Sequence, residues 1–127
     1  MINRDLVVLV VGDTVGIEDA AEFLREAGFQ SVYTASDNTS AWEQLEGNAV
    51  ELVFSELRTP TLDGLGLLRS IRANQEYTHI PVVLLAVTMT PSEERVLQQA
   101  RANSLIVGGF GQRDVLNVIN QIFPEFR

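Results

Sequence analysis

The 127-residue sequence contains no lysine and no cysteine, and it has a single histidine, His79. Without cysteine there are no disulfides and no thiolate metal sites, and one histidine cannot form a histidine cluster. His79 precedes Ile80-Pro81 and reads as a loop residue. No apolar run approaches the ~20 residues of a membrane span. The stretch Leu6–Val11 is too short for one and has no small-residue cleavage site after it, so a cytoplasmic protein without a signal peptide is expected. Positive charge is scarce: all 9 basic residues are arginine, against 17 acids, for a net charge of -8. Such a surface repels phosphate backbones, which argues against nucleic-acid binding by this domain and leaves no basis for a membrane contact.

What is present is regular. The chain has the length of one compact domain, residues 1–127, with ordinary globular composition. Leu6–Val11 (LVVLVV) is a continuous β-branched run, the pattern of a strand buried on both faces. Four more strands are expected at Ser31–Ala35, Glu51–Phe54, Pro81–Val87 and Ser104–Val107. Helical spacing predicts Ile17–Ala27, stopped by Gly28, then Thr39–Glu46, Leu65–Ala73, Pro91–Asn103 and Gln112–Phe123. Pro91 falls in a first turn, where its missing N–H costs nothing. Five strand–helix units imply an α/β fold: a doubly wound (βα)5 five-stranded parallel sheet with flavodoxin-like order 2-1-3-4-5. Sites in such folds form at the carboxyl ends of the strands. Gly12-Asp13, Ser55-Glu56, Ala86 and Gly108-Gly109 are therefore expected on one rim.

The segments LVFSELRTPTLDGLGLLRSIRA (Leu52–Ala73), HIPVVLLA (His79–Ala86) and SLIVGGF (Ser104–Phe110) carry a resemblance. They are similar to the CheY-like receiver domain of bacterial two-component response regulators, and the likeness runs from Leu6 to Phe123. In that family an aspartate ending the third strand is phosphorylated, with Mg2+ and cationic and hydroxyl groups holding the phosphoryl oxygens. The resemblance implies that the metal-binding acid pair reads Gly12-Asp13 here and that the acceptor position is Glu56. The strand-four hydroxyl is replaced by Ala86, the lysine after strand five by Gly108, and its proline partner by Gly109. The strand-five aromatic position is Leu105.

These departures bear on chemistry. An extra methylene at Glu56 moves the carboxylate by about a bond length, and a misplacement of about 1 Å can cost on the order of 10²-fold. Removing a metal carboxylate weakens a hard-cation site, and each lost charge-stabilising group typically costs several kcal/mol in the transition state. No lysine elsewhere can substitute. The expectation is a degenerate pseudo-receiver: not an enzyme, without catalytic residues, metal ligands, cofactor or Mg2+, and acting by protein–protein contact. Two readings stand open for Arg58, a residue near the metal position. It either pairs with Asp13 and Glu56 in place of the metal or points into solvent. Glu56 itself is either a fixed phosphoaspartate mimic or a drifted residue in an inert pocket. A second function is an inefficient phosphoacceptor using Glu56 or Ser55 with Mg2+. A third, a small flavin- or nucleotide-binding protein, lacks a glycine-rich phosphate loop after strand one.

The last helix gives the hint about partners. Val115, Ile119 and Ile122 form a stripe toward the sheet, while Leu116, Val118 and Phe123 add apolar side chains off it, and Asn117, Asn120 and Gln121 are neutral. With Leu105, these residues suggest a covered surface: a signalling protein, an output domain or a homodimer through this helix. The bland alternative is that they tuck under the tail Pro124–Arg127. Trp42 and the acids Glu18, Asp19, Glu22 and Glu26 are assigned to packing and to a solvated face. Asp63-Gly64 is assigned to helix entry.

Overall fold

The computed structural model describes residues 4–108 and 111–124. Gly109, Phe110 and most of the 124–127 tail, on which part of the rim reading and the tail reading fall, lie outside the described residues. In chain order the elements are β1 (Val7–Val11), α1 (Val15–Glu26), β2 (Ser31–Ala35), α2 (Asn38–Gly47) and β3 (Leu52–Glu56). Next come β4 (Arg58–Thr59), β5 (Leu62–Asp63), α3 (Gly64–Ala73), β6 (Val82–Ala86), α4 (Pro91–Gln99), β7 (Ser104–Val107) and α5 (Gln112–Ile122). Five strands form one parallel sheet in the order β2-β1-β3-β6-β7, which is the expected 2-1-3-4-5 once the β4–β5 ribbon is set aside.

The apolar strands owe their composition to burial on both faces. Val8 and Val10 of β1 pack with Ile17, Leu24, Val115 and Ile119 of α1 and α5. Leu9 and Val11, pointing the other way, pack with Leu45, Leu68, Ile71 and Leu97 of α2, α3 and α4. Alternating directions along a strand make a core on each side, which is why every position of the run is apolar.

Local chemistry fixes the helix ends. Asp37 caps α2 by accepting from Ser40 N at 2.7 Å. Thr90 and Glu93 exchange reciprocal bonds at the start of α4. α4 stops at Gln99, short of the expected Asn103. Arg101 turns to φ 69°, its N–H donates to Gln98 O, and Ala102 N–H donates to Leu97 O. This is a Schellman closure with arginine where glycine usually stands. At the same end of the sheet Arg72 works as a latch. Its guanidinium donates to the carbonyls of Thr78, Ile80 and Arg101 and to Asn103 Oδ1 at 2.7–3.2 Å. Asn103 Oδ1 also accepts from Val82 N at 2.9 Å. Trp42 is half-buried and meets Tyr77 edge-on, ring centroids 5.5 Å apart, a packing role as expected.

Candidate functional site

The carboxyl ends of β1, β3, β6 and β7 form the rim. Val11 lies opposite Ser55 in the ladder, so residues 12 and 56 face one another just beyond it. Gly108 N donates to Ala86 O at 2.9 Å, closing the other side. Glu56 turns its side chain over Gly12. A Cβ on residue 12 would stand 2.1 Å from Glu56 Oε1 and 2.8 Å from its Cγ, well inside contact distance. Carboxylate and glycine are thus a matched pair: the longer side chain fills the space that a residue-12 side chain would need. Glu56 Oε2 accepts from Thr14 Oγ1 at 2.9 Å and Oε1 accepts from Thr14 N at 3.2 Å. Thr14 is the N-cap of α1, yet its hydroxyl goes to Glu56 and makes no cap bond. The Glu56 carboxylate sits at the positive end of that helix.

Asp13 goes elsewhere. Its Oδ2 accepts from Thr61 Oγ1 at 2.7 Å, tying it to the turn of the β4–β5 ribbon. Glu56 lines a cavity of about 440 Å³ with Thr14, Val15, Ala86, Val87 and Gly108. Asp13 lines a separate one with Ser36 and Ser40. Among the described residues no group of three or more His, Asp or Glu side chains converges as a metal site would require. Val15 and Val87, at the mouth of the Glu56 cavity, are 73% and 78% exposed, so its lip is apolar.

Several expectations need correction. Arg58 makes no ion pair with Asp13 or Glu56 among the described residues, and its side chain is 53% exposed, so the solvent-facing reading is the nearer of the two. It forms an ion pair with Glu93 at the start of α4. Glu93 is already held at the start of that helix by its reciprocal bonds with Thr90. Backbone hydrogen bonding from Thr90, then the Arg58 charge and hydrogen bond, hold the Glu93 carboxyl below its ordinary range against an opposing effect of burial. Ser55 is fully buried and donates to Glu56 O at 2.9 Å. Val118 is buried with Val115 and Ile119, because the inward stripe of α5 is wider than three residues. Leu116 and Phe123 are half-buried against the same core, and Leu105 against the opposite one, so all four candidate surface residues have intramolecular packing.

Asp63 caps α3, accepting from Gly66 N at 2.9 Å. Gly64 is required by close approach, since a Cβ there would lie 2.3 Å from Glu56 O. Thr14 and Thr61, the hydroxyls that fix the two rim carboxylates, are absent from the sequence reading. Thr14 has a signal, a hydroxyl residue just ahead of a helical run; Thr61, in a short turn, has none.

Comparison with known proteins decides the family. The response regulator receiver domain matches residues 8–120. The chain belongs to that family. Similar receivers include chemotaxis protein CheY-3 of Vibrio cholerae, 27% identical over 128 residues, covering 98% of this chain and 97% of that protein. Chemotaxis protein CheY of Pseudomonas aeruginosa is 28% identical over 104 residues, covering 80% of this chain and 82% of the other. Among solved structures, the receiver domain of NtrX from Brucella abortus superposes with TM-score 0.81 at 27% identity, over 92% of this chain and 98% of that one. Chemotaxis response regulator CheY4 of Vibrio cholerae shares the fold at TM-score 0.82 and 21% identity, over 92% and 98% of the two chains. In a longer NtrX chain the matching part is 26% of the whole, so a receiver there is joined to further polypeptide.

Proposed function

We propose that this receiver is a pseudo-receiver: it signals in a two-component-type pathway by protein–protein contact, without aspartyl phosphorylation and without Mg2+. One observation carries the reading. The only carboxylate at the acceptor position is folded over Gly12 and hydrogen-bonded by Thr14, in a cavity that Asp13 does not share. Phosphoryl transfer needs an in-line nucleophile beside a cation held by several anionic oxygens. Here Glu56 and the remaining acid Asp13 are held by different hydroxyls and line different cavities, and Ala86 and Gly108 offer neither hydroxyl nor ammonium.

Contact is to a signalling protein or an output domain in the cytoplasm, with α5 as the contacting element. That helix suits the role because Leu116 and Ile122 on it, and Phe123 at its end, are only partly buried, leaving apolar surface that a partner or a second copy could cover. Acidic charge keeps the domain from nucleic acid. Among the described residues no helix is long and apolar enough to cross a membrane.

The test is incubation with acetyl phosphate and Mg2+ followed by intact-mass measurement. No phosphoryl adduct is expected on the native chain, while a variant carrying Gly12→Asp, Glu56→Asp, Ala86→Thr and Gly108→Lys should gain one. An adduct on native Glu56 would establish the inefficient phosphoacceptor instead.

A further inference from the structure

The face between α3 and α4 carries two adjoining depressions that the contact proposed for α5 does not use. The first, about 290 Å³, is lined by Leu57, Leu65, Val96 and Leu97 together with Ser92 and Glu93, whose carboxylate is already paired with Arg58. The second, about 480 Å³, shares Val96 and is lined by Arg69, Arg72 and Arg101, with no carboxylate on its walls. In a chain of 17 acids and 9 basic residues, this grouping of three arginines is an island of the opposite sign.

The three arginines are not equivalent. Arg72 is committed to the latch, and burial first, then the neighbouring Arg101 charge, holds it below its ordinary pKa. Arg69 and Arg101 are exposed, and among the described residues no acid forms an ion pair with either. Like charges are therefore gathered beside an open depression whose own walls carry no carboxylate, and Val96 at the junction is 38% exposed. An anionic group would relieve that crowding, and an apolar side chain would fill the adjoining slot.

We infer that the α3–α4 groove binds an acidic peptide segment of a partner protein, with an apolar side chain seated between Leu65 and Val96 and carboxylates on Arg69 and Arg101. Val96 lies in the last turn of α4 and Arg101 just past its end, so the apolar slot and the exposed charge adjoin at the carboxyl end of that helix. A bound helix would match that adjacency with its apolar anchor and its acids about one turn apart.

The test uses the full chain and two fluorescein-labelled helical peptides. One carries a leucine with glutamates one turn to either side, and the other has glutamine for each glutamate. The glutamate peptide should bind, more weakly as salt is raised, with amide shifts confined to residues 65–73 and 92–103. The double variant Arg69→Glu/Arg101→Gly should weaken it by about tenfold or more. Glycine accepts the positive φ of residue 101 and keeps the Arg101 carbonyl that Arg72 uses, so the fold is preserved. Equal binding of the glutamine peptide, an unchanged double variant, or shifts elsewhere would overturn the inference. So would displacement by inorganic phosphate alone, or self-association that Arg69→Glu abolishes, since the exposed acids of α1 would then mark a second copy as occupant.

Discussion

Glu56 and Gly12 show how one substitution conditions another. A glutamate in this rotamer is compatible with glycine at 12 and with nothing larger. The coupling is measurable in a double-mutant cycle of Gly12→Ala and Glu56→Ala by urea denaturation. Gly12→Ala alone carries both the steric clash and any backbone cost, and the backbone cost cancels in the cycle. A coupling energy on the order of 1 kcal/mol is expected, because Glu56 can escape only by giving up its bonds to Thr14. Additivity within error would show that the two side chains ignore one another. At this scale the sequence was least informative. That residues 12 and 56 meet follows from strand register, but the direction in which Glu56 folds does not. Nor could spacing show that Arg58 would find Glu93, since a long surface side chain chooses its partner from tertiary neighbours.

Among the elements, the strands were legible to within a residue or two, because two-sided burial leaves an unbroken apolar run that polar turns interrupt. The β4–β5 ribbon was not, as two-residue strands show no period. The end of α4 was missed for a related reason: its stop is a backbone conformation, taken here by Arg101 without the glycine that would announce it. Arg101→Gly should therefore raise stability by about 0.5–1 kcal/mol, read as a higher thermal midpoint, since glycine enters the left-handed region without a Cβ penalty. A lower midpoint would mean that the arginine side chain contributes more than its strained backbone costs. On α5, counting only Val115, Ile119 and Ile122 as inward narrowed the stripe. Val118 lies three residues after Val115 and four before Ile122, and it belongs to the same face.

For the molecule as a whole, the position of the rim was readable because a doubly wound sheet has one switch point, whatever residues stand there. Its charge also sets a pH response. Asp37 and Glu93 are both held below their ordinary values of 3.8 and 4.5, chiefly by backbone N–H groups of Ser40 and Thr90. A depressed carboxyl stabilises the fold above its unfolded-state pKa and ceases to do so as pH falls through the folded value. Thermal midpoints should thus be flat with respect to these groups above about pH 5 and fall below about pH 4. In Asp37→Asn/Glu93→Gln the fall should be shallower, and the two curves should converge in acid. Parallel curves would show that other carboxyls dominate.

The Arg72 latch has a consequence for how the domain breathes. Four backbone or amide oxygens from two separate loops are gathered on one guanidinium at the amino-terminal end of β6 and β7. The opposite end, among the described residues, has no comparable guanidinium hub: its bonds, such as Gly108 N to Ala86 O and Thr14 to Glu56, each join only two residues. Openings of the sheet should start at the rim and die out toward the latch. In deuterium-exchange measurements the Val82 and Asn103 amides should outlast those of Thr14 and Gly108, and Arg72→Met should erase most of that gradient.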